Sequence, residues 1–334
     1  MHAFRLEKSD EYTHAASAEI NFNESVYVNG WDLEKQFGVW MRLGNRINEG
    51  YAELSVCLYL PDGRVACQFQ RPAITDNDKH SAGGLHYQVL EPFSAVAMRY
   101  TGELMLLDNP EQLRDPRKMF NEAQRVTANI ELTLTGVSPM HGGEPAATNE
   151  DTMYGRDFSL GHFNQHTRTV GTIKLGDTTL TLDGYGWRDH SWGPRYWTNI
   201  YFYRLFVANF GADRGFMLLK RTGRDGVVHR QGVVLYDGQY EEIIDLDVIT
   251  QWSPRKDPVA IQLGVRTAQR SVLLEGKVMT LAPLRNRRQV GDQSLACRIA
   301  EGFTAWRWDD GRPGIGITEY IEFLEDGEPV GYPL

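Results

Sequence analysis

The segment Gly184–Arg195, which reads GYGWRDHSWGPR, holds the residues of this chain that are best suited to chemistry. A carboxylic acid (Asp189), an imidazole (His190), a guanidinium and two indoles lie within a few positions of one another. Surface loops are usually polar and core strands are mainly aliphatic, so this composition is typical of neither. Acid–base groups embedded in aromatic surface indicate a pocket that handles an apolar substrate.

An extended conformation of this segment would place alternate side chains on opposite faces. One face then carries Arg188, His190 and Trp192, and the other carries Trp187, Asp189 and Ser191. Because one face of a barrel strand lines the interior, His190 is a candidate proton-transfer group beside the indole of Trp192, which would stabilise a developing cation. Asp189 would hydrogen-bond the imidazole or, if burial raises its pKa, act as the acid itself. An evenly weighted alternative is that Asp189 and His190 shape a turn while the tryptophans pack the core.

The candidate substrate contacts near this segment are Tyr185, Trp187, Arg188, Trp197 and Tyr203. Arg188 would either anchor a polar end of the substrate or hold Asp189 ionised. In the second case the pKa of Asp189 falls, and His190 is left as the general acid.

Other polar groups give weaker signals. His162 and His166 have the spacing of a metal pair on a helix, but their surroundings indicate a strand or loop and supply no third ligand, so we expect no metal. Glu24 and Glu49 lie among aromatic residues in the N-terminal part, where a domain contact is favoured over a substrate-facing role. Phosphate-cradling, dinucleotide-binding and serine-hydrolase motifs are absent, and we expect no cofactor.

The elements that must position these residues are predicted to be strands. Asp-Gly, a dipeptide suited to tight hairpin turns, starts at residues 62, 183, 225, 237, 310 and 326. Thr127–Gly136 alternates apolar and polar residues in the manner of a half-buried strand. One helical region is predicted, Pro110–Ala123, and Pro116 keeps it short or broken. The Gly-, Ala- and Pro-rich stretch Met140–Tyr154 is interpreted as a linker between domains 1–155 and 156–334, the second carrying the Gly184–Arg195 segment.

Bulk composition narrows the class of protein. The chain has 334 residues, 41% hydrophobic and 24% charged, as expected of a folded globular protein. A formal net charge of −9 disfavours a nucleic-acid partner. We expect no transmembrane segment, since no run approaches the roughly 18 apolar residues of a membrane span. Three cysteines and the lack of an apolar leader predict reduced thiols and a cytoplasmic location, with a homodimer left open.

With these motifs in view, the chain resembles a known family. The segment Gly184–Gly193 resembles the motif in the second half of the hydroxyneurosporene synthase (carotenoid 1,2-hydratase)-like proteins and of the related two-domain lipocalin-like (calycin) proteins. Asn23–Ser25, Gly44–Gly50 and Ala208–Gly211 resemble the second group, so the resemblance spans most of the chain. It implies an all-β fold of two lipocalin-like antiparallel β-barrels packed side by side, with a short helix or lid segment and a pocket for an apolar ligand.

The resemblance also implies a reaction. In the carotenoid hydratases an acid protonates an isoprenoid double bond and water captures the tertiary cation, without a cofactor. The His-x-Trp pair of that family matches His190 and Trp192, preceded by Asp189. A further Tyr and Asp of the family site fall in a region that here holds Tyr201, Tyr203 and Asp213.

Together these observations predict a cofactor-independent lyase or isomerase of the hydratase–dehydratase type, acting on a hydrophobic isoprenoid or polycyclic substrate. His190 and Asp189 would supply and relay the proton, and Trp192 would shield the cation. Two alternatives stay open. One is a non-catalytic lipocalin-like carrier of a lipid or pigment, and the other is a cyclase or Diels–Alder-type catalyst that relies on a shaped apolar pocket.

Overall fold

The structure is a computed structural model that describes residues 4–147, 158–196, 200–290 and 293–334. Its strands are β1 (Phe4–Arg5), β2 (Phe22–Asp32), β3 (Phe37–Arg46), β4 (Tyr51–Tyr59), β5 (Val65–Gln70), β6 (Ser81–Ala82), β7 (Leu85–Glu91), β8 (Ala95–Leu107), β9 (Gln124–Gly136), β10 (His141–Pro145), β11 (Gly161–Leu175), β12 (Thr178–Pro194), β13 (Phe202–Asn209), β14 (Arg214–Thr222), β15 (Val228–Tyr236), β16 (Gln239–Trp252), β17 (Pro258–Thr267), β18 (Ser271–Val290), β19 (Gln293–Trp308), β20 (Pro313–Glu325) and β21 (Glu328–Pro329). The helices are α1 (Pro116–Glu122) and short 3-10 helices at Lys8–Glu11, Ile47–Glu49 and Pro110–Arg114.

The chain divides into two compact units. The first comprises Met1–Leu60, Ala66–Leu106 and Gln124–Trp197, and the second comprises Pro61–Val65, Leu107–Ala123 and Thr198–Leu334. This division differs from the boundary expected between residues 155 and 156, because β11 and β12 pair with strands of the N-terminal part. The Gly184–Arg195 segment therefore belongs to the first unit.

A closed ring of eight strands forms the body of the first unit. Its order is β11, β12, β2, β3, β4, β5, β8 and β9, and β9 returns to β11. Strands β1 and β10 extend the sheet beside β11, and β7 and β6 extend it beside β8. Inside the ring, alternate aliphatic residues such as Val26, Val28, Met41 and Leu54 form the hydrophobic core. The predicted linker Met140–Tyr154 contains β10, which pairs with β11, and its residues from 148 onward lie outside the described residues.

The second unit is also a closed ring. Strands β13 to β20 follow one another in sequence order, and the pairing of β13 with β20 closes the ring. Its core is more aromatic, with Phe206, Phe216, Trp306 and Tyr320 in contact. Within the described residues, strands of this ring that follow one another in the chain are joined by short turns, several of them at the Asp-Gly dipeptides.

The predicted all-β class, with two lipocalin-like antiparallel barrels and a short helix, is confirmed. The helical region is broken as expected: a 3-10 helix ends before Asp115, whose side chain then caps α1 by accepting a hydrogen bond from the Lys118 backbone N–H. Within the described residues no helix combines the length and apolar character needed to cross a membrane.

Glycine lets β12 approach β2 closely. A Cβ atom added at Gly186 would lie 1.9 Å from the backbone carbonyl oxygen of Asn29, a contact that only a shift of the strands could relieve. We therefore expect Gly186→Ala to lower the free energy of unfolding by about 1–3 kcal/mol, through the overpacking it forces. Urea unfolding followed by circular dichroism measures this. Gly264→Ala in β17 is the matched control, because the nearest atom there is 3.6 Å away. Equal stability of the two variants would contradict this account of the β2–β12 pairing.

Candidate functional site

Strand β12 directs His190 and Trp192 toward the interior of the first barrel. Leu182 on the same strand belongs to the barrel core, and even-numbered residues from there onward share its face. The His190 side chain is fully buried and that of Trp192 nearly so. The structure therefore has the alternation expected for an extended Gly184–Arg195 segment, with His190 on an interior face rather than in a turn.

Glu24 is the buried partner of His190. In the β2–β12 register Val26 lies opposite His190 and Glu24 lies opposite Trp192, so Glu24 projects into the same interior next to the imidazole. Its Oε1 is hydrogen-bonded to His190 Nε2. The same oxygen is 3.2 Å from His14 Nδ1, and Oε2 accepts the backbone N–H of His14 at 3.0 Å. One buried carboxylate thus contacts two imidazoles.

The charges in this cluster are set by burial and by these contacts. Burial raises the pKa of Glu24, but the hydrogen bonds from His14 and His190 outweigh it and bring the pKa to about 2. Burial lowers the pKa of His14, yet the hydrogen bond and charge of Glu24 prevail and raise it. For the neighbouring His80, burial and then the charge of His190 lower the pKa to about 3, so His80 is neutral. Glu24 is therefore an ionised carboxylate beside a favoured imidazolium.

Aromatic rings surround the His190 imidazole. The Trp192 and Phe163 ring centroids lie 5.5 Å and 5.2 Å from the imidazole centroid, and both rings contact it in a T-shaped, edge-to-face arrangement. His14 stacks on Trp192 with 3.9 Å between the centroids and an interplanar angle of 11°. The Trp192 indole N–H donates to Glu144 at 3.2 Å, which fixes the orientation of the ring. A proton donor and π surface therefore occupy one end of the barrel interior.

Arg188 shares this interior face but pairs with Glu11. Its two terminal nitrogens donate to the Glu11 carboxylate at 2.7 and 2.8 Å, and its Nε donates to Gln165 at 2.9 Å. The Tyr87 hydroxyl accepts a further bond from this guanidinium at 3.3 Å. The expectation that Arg188 holds Asp189 ionised is wrong, since the two side chains leave the strand on opposite faces.

Asp189, Trp187 and Tyr185 lie on the outer face of β12. Asp189 Oδ2 is 3.4 Å from His162 Nε2, so the structure joins this carboxylate to His162 and not to His190. Trp187 packs edge-on against Tyr27 at 5.8 Å, and the Arg168 guanidinium lies 5.1 Å from the centre of the Tyr185 ring. Adjacent residues of an extended strand cannot both face inward, which is why the expected Asp189–His190 relay does not form. These three predicted site residues are therefore apart from the imidazole cluster.

The two remaining predicted contacts are not part of the cluster either. Trp197 lies outside the described residues. Tyr203 is on β13 in the second unit, where its hydroxyl donates to Glu319. Glu301 lies directly opposite Glu319 in the β19–β20 register. Burial, followed by the charge and hydrogen bond of Glu319, raises the pKa of Glu301 well above its ordinary value.

Sequence reasoning missed most of the partners of His190. For Glu24 a domain contact is favoured in the sequence analysis, and His14 and His80 are not singled out there. The same holds for Glu11, the partner of Arg188. His14 lies in an irregular segment with no periodicity, and 166 positions separate Glu24 from His190. The available signal was the run of three consecutive polar residues Asn23–Ser25 in a strand rich in aromatic and aliphatic residues.

Donor atoms that could hold a metal ion are present in this cluster. His14, Glu24 and His190 each offer one ligand atom, and the three atoms lie within 4.8 Å of one another. Imidazole and carboxylate are ordinary ligands of divalent transition metals. The expectation that the protein holds no metal stays a prediction.

The raised pKa of Glu301 makes stability depend on pH. The folded protein keeps a proton that the unfolded chain releases above the ordinary pKa of glutamate, so this group costs stability as the pH rises through and above that value. Glu301→Gln removes the proton exchange while keeping a neutral group of similar shape. We expect its free energy of unfolding, relative to the wild type, to increase between about pH 5 and about pH 8, by at most about 1.4 kcal/mol per pH unit. Urea unfolding at the two pH values measures this.

The exposed Glu275, on β18 of the same barrel, provides the control. Glu275→Gln should leave the pH dependence of the wild type unchanged. A Glu301→Gln variant with the pH dependence of the wild type would show that Glu301 is ionised in the folded protein.

Several solved structures of differently described proteins have a fold similar to that of this chain. A protein described as a candidate AttH from Nitrosomonas europaea has a TM-score of 0.60 and 14% identity, covering 93% of this chain and 95% of that chain. Kievitone hydratase from Nectria haematococca has a TM-score of 0.57 and 12% identity, with 96% of this chain and 93% of that chain covered. The structure of CghA with Sch210972 has a TM-score of 0.55 and 11% identity, with 92% of this chain and 89% of that chain covered. At these identities the likeness concerns the fold, and the resemblance to carotenoid 1,2-hydratases stays a resemblance.

Sequence comparisons identify the family. No curated protein matches this sequence. The family model described as Domain of unknown function (DUF7064) matches residues 7–323, which is most of the chain. The chain belongs to the DUF7064 family.

Proposed function

We propose that the first barrel holds an acid–base centre for hydratase–dehydratase or isomerase chemistry, which protonates a double bond of a hydrophobic isoprenoid or polycyclic substrate. The observation that carries the proposal is the Glu24 carboxylate, which is buried between His190 and His14 and next to Trp192, and whose pKa is lowered by the two imidazoles. A buried charge is costly unless it is paired, and this pairing uses groups that can exchange a proton. Such groups in aromatic surroundings suit a reaction through a carbocation.

His190 is the proposed proton donor. Its Nε2 is engaged by Glu24, and within the described residues its Nδ1 has no hydrogen-bond partner. In the imidazolium form, the Nδ1–H bond would break as a C–H bond forms at the alkene, leaving a neutral imidazole and a tertiary cation. Water then adds to the cation and loses a proton to Nδ1, which restores the imidazolium. Loss of a proton from a neighbouring carbon instead would complete an isomerisation.

Glu24 takes the relay role that was expected of Asp189. It stays a carboxylate throughout, holds the imidazole orientation and stabilises its charge. His14, with a fifth of its side chain exposed, provides a second imidazole through which protons exchange with solvent. Trp192 and Phe163 would stabilise the cation.

The fold comparisons support this class of reaction without identifying the substrate. Kievitone hydratase is a hydratase by name, and CghA was solved with the small molecule Sch210972. A fold similar to that of this chain therefore occurs in a hydratase and in a protein that binds a small molecule. The carrier and cyclase alternatives share the fold and differ in what they require of His190.

The test is deuterium incorporation from heavy water into a panel of isoprenoid and polycyclic alkenes, measured by mass spectrometry with the full-length protein. Protonation of a double bond places one solvent-derived deuteron on carbon in hydration and isomerisation alike. We expect incorporation by the wild type and a loss of about 100-fold or more in His190→Asn and Glu24→Gln, which is the range of general acid–base contributions. Asp189→Asn should retain most of the activity.

His86→Asn is the matched control, since His86 is an exposed histidine on β7 of the same barrel. Circular dichroism shows whether each variant folds. Tight binding of an alkene without deuterium incorporation would favour the carrier. A product that forms equally well in His190→Asn but not in Trp192→Leu would favour the cyclase. Either result would overturn the proposed proton transfer.

A further inference from the structure

We propose that His14, Glu24 and His190 form a binding site for one divalent transition-metal ion of the zinc or cobalt type. The inference concerns metal binding alone and does not rest on the proposed reaction. It arises from the position of three donor atoms, from the side chains that contact or adjoin them and from a third histidine, His80, whose Nε2 has no hydrogen-bond partner among the described residues.

The spacing of the donor atoms suits a small ion. One ring nitrogen of His14, one carboxylate oxygen of Glu24 and one ring nitrogen of His190 lie within 4.8 Å of one another. Metal–ligand bonds of about 2.0–2.1 Å in a tetrahedral site place neighbouring donor atoms about 3.3–3.4 Å apart. The distance between His14 Nδ1 and Glu24 Oε1 is already 3.2 Å. The shorter His190–Glu24 contact would lengthen as an ion takes the place of the proton between the two side chains.

The chemistry of the donor set favours a transition metal. Imidazole nitrogens suit zinc, cobalt, nickel and copper, whereas magnesium and calcium prefer oxygen ligands. Two imidazoles and one carboxylate are the three protein ligands of several open zinc sites, in which a fourth position is left for water. The three side chains are held by β2, β12 and the N-terminal segment, and Glu24 and His190 are fully buried.

Two further side chains, Asp10 and His80, lie next to the proposed ligands. His14 Nε2 lies 3.5 Å from Asp10 Oδ1, an arrangement in which a carboxylate orients a metal-binding imidazole. His80 is almost fully buried, its ring centroid is 5.2 Å from that of His190, and its Nε2 has no hydrogen-bond partner among the described residues. A buried polar atom without a partner is costly. A metal-bound water at the open position would give His80 a partner.

A metal ion and the proposed proton transfer would use the same two side chains: the ion would bind His190 Nε2 and Glu24, whereas the transferred proton is on His190 Nδ1. The ion would displace the proton between Glu24 and His190, so the metal-bound protein would be inactive in the proposed reaction. For this reason binding is tested directly rather than through turnover.

The test is a titration of the chelator-treated, metal-free full-length protein with Co²⁺, followed by visible absorption. We expect one equivalent to bind saturably, with the absorption of a tetrahedral or five-coordinate ion, and Zn²⁺ to displace it. His14→Asn should weaken binding at least tenfold, since it removes one of three ligands. Because His14 lies in an irregular, partly exposed segment, this variant is expected to fold, and circular dichroism checks it.

His162→Asn is the matched control, because His162 is a buried histidine of the same barrel on the opposite face of the sheet. It should bind Co²⁺ as the wild type does. Absence of saturable binding by the wild type, or equal affinity in folded His14→Asn, would overturn the proposed site. Neither result bears on deuterium incorporation, so failure of this inference is distinguishable from failure of the proposed function.

Discussion

The pairing of β12 with β2 is the constraint on which the candidate site depends. It runs from Tyr185 opposite Trp31 to Pro194 opposite Phe22, and it joins strands that are far apart in the sequence. It closes the first barrel and sets the register that brings Glu24 beside His190. A shift of one residue would turn Glu24 away from the interior, because side chains alternate along a strand. The close approach at Gly186 belongs to the same pairing.

Compensated charge is the second feature of this barrel. Its interior has an aliphatic part around Val26 and Val28 and a polar end that holds Glu24 and Glu11. Glu11 is neutralised by Arg188, which also bonds Gln165, whereas Glu24 is neutralised by imidazoles. The two pairs differ in chemistry: a guanidinium stays charged, whereas an imidazole exchanges its proton near neutral pH. This contrast is the reason that we propose proton transfer for the Glu24 cluster and not for the Arg188 pair.

Local sequence patterns were sufficient for the fold class and for one half of the site. Asp-Gly turns and alternating strands predict an all-β chain, and the family resemblance implies the two barrels. Alternation within Gly184–Arg195 predicts the face shared by His190 and Trp192. Local patterns could not identify Glu24 as the partner of His190, because the pairing of two strands far apart in the sequence brings these residues together. Asp189 is adjacent in sequence and for that very reason faces away, whereas Glu24 is distant and faces the imidazole.

The domain boundary was missed for a related physical reason. The Gly- and Pro-rich composition of Met140–Tyr154 is typical of a linker, but composition does not report which sheet the following strands join. Here β11 and β12 complete the N-terminal ring, and the second ring begins with β13. His14 escaped attention because its irregular segment has no periodicity and contacts the cluster only through tertiary structure.

The central claim is that Glu24 is an ionised carboxylate shared by His190 and His14. Nuclear magnetic resonance of protein labelled with ¹⁵N at histidine tests it most directly, by comparing the wild type with Glu24→Gln. The account predicts a strongly downfield Nε2–H proton on His190 and a raised pKa for His14 in the wild type, with both lost in the variant. Histidine resonances and a His14 pKa that are the same in both proteins would contradict it.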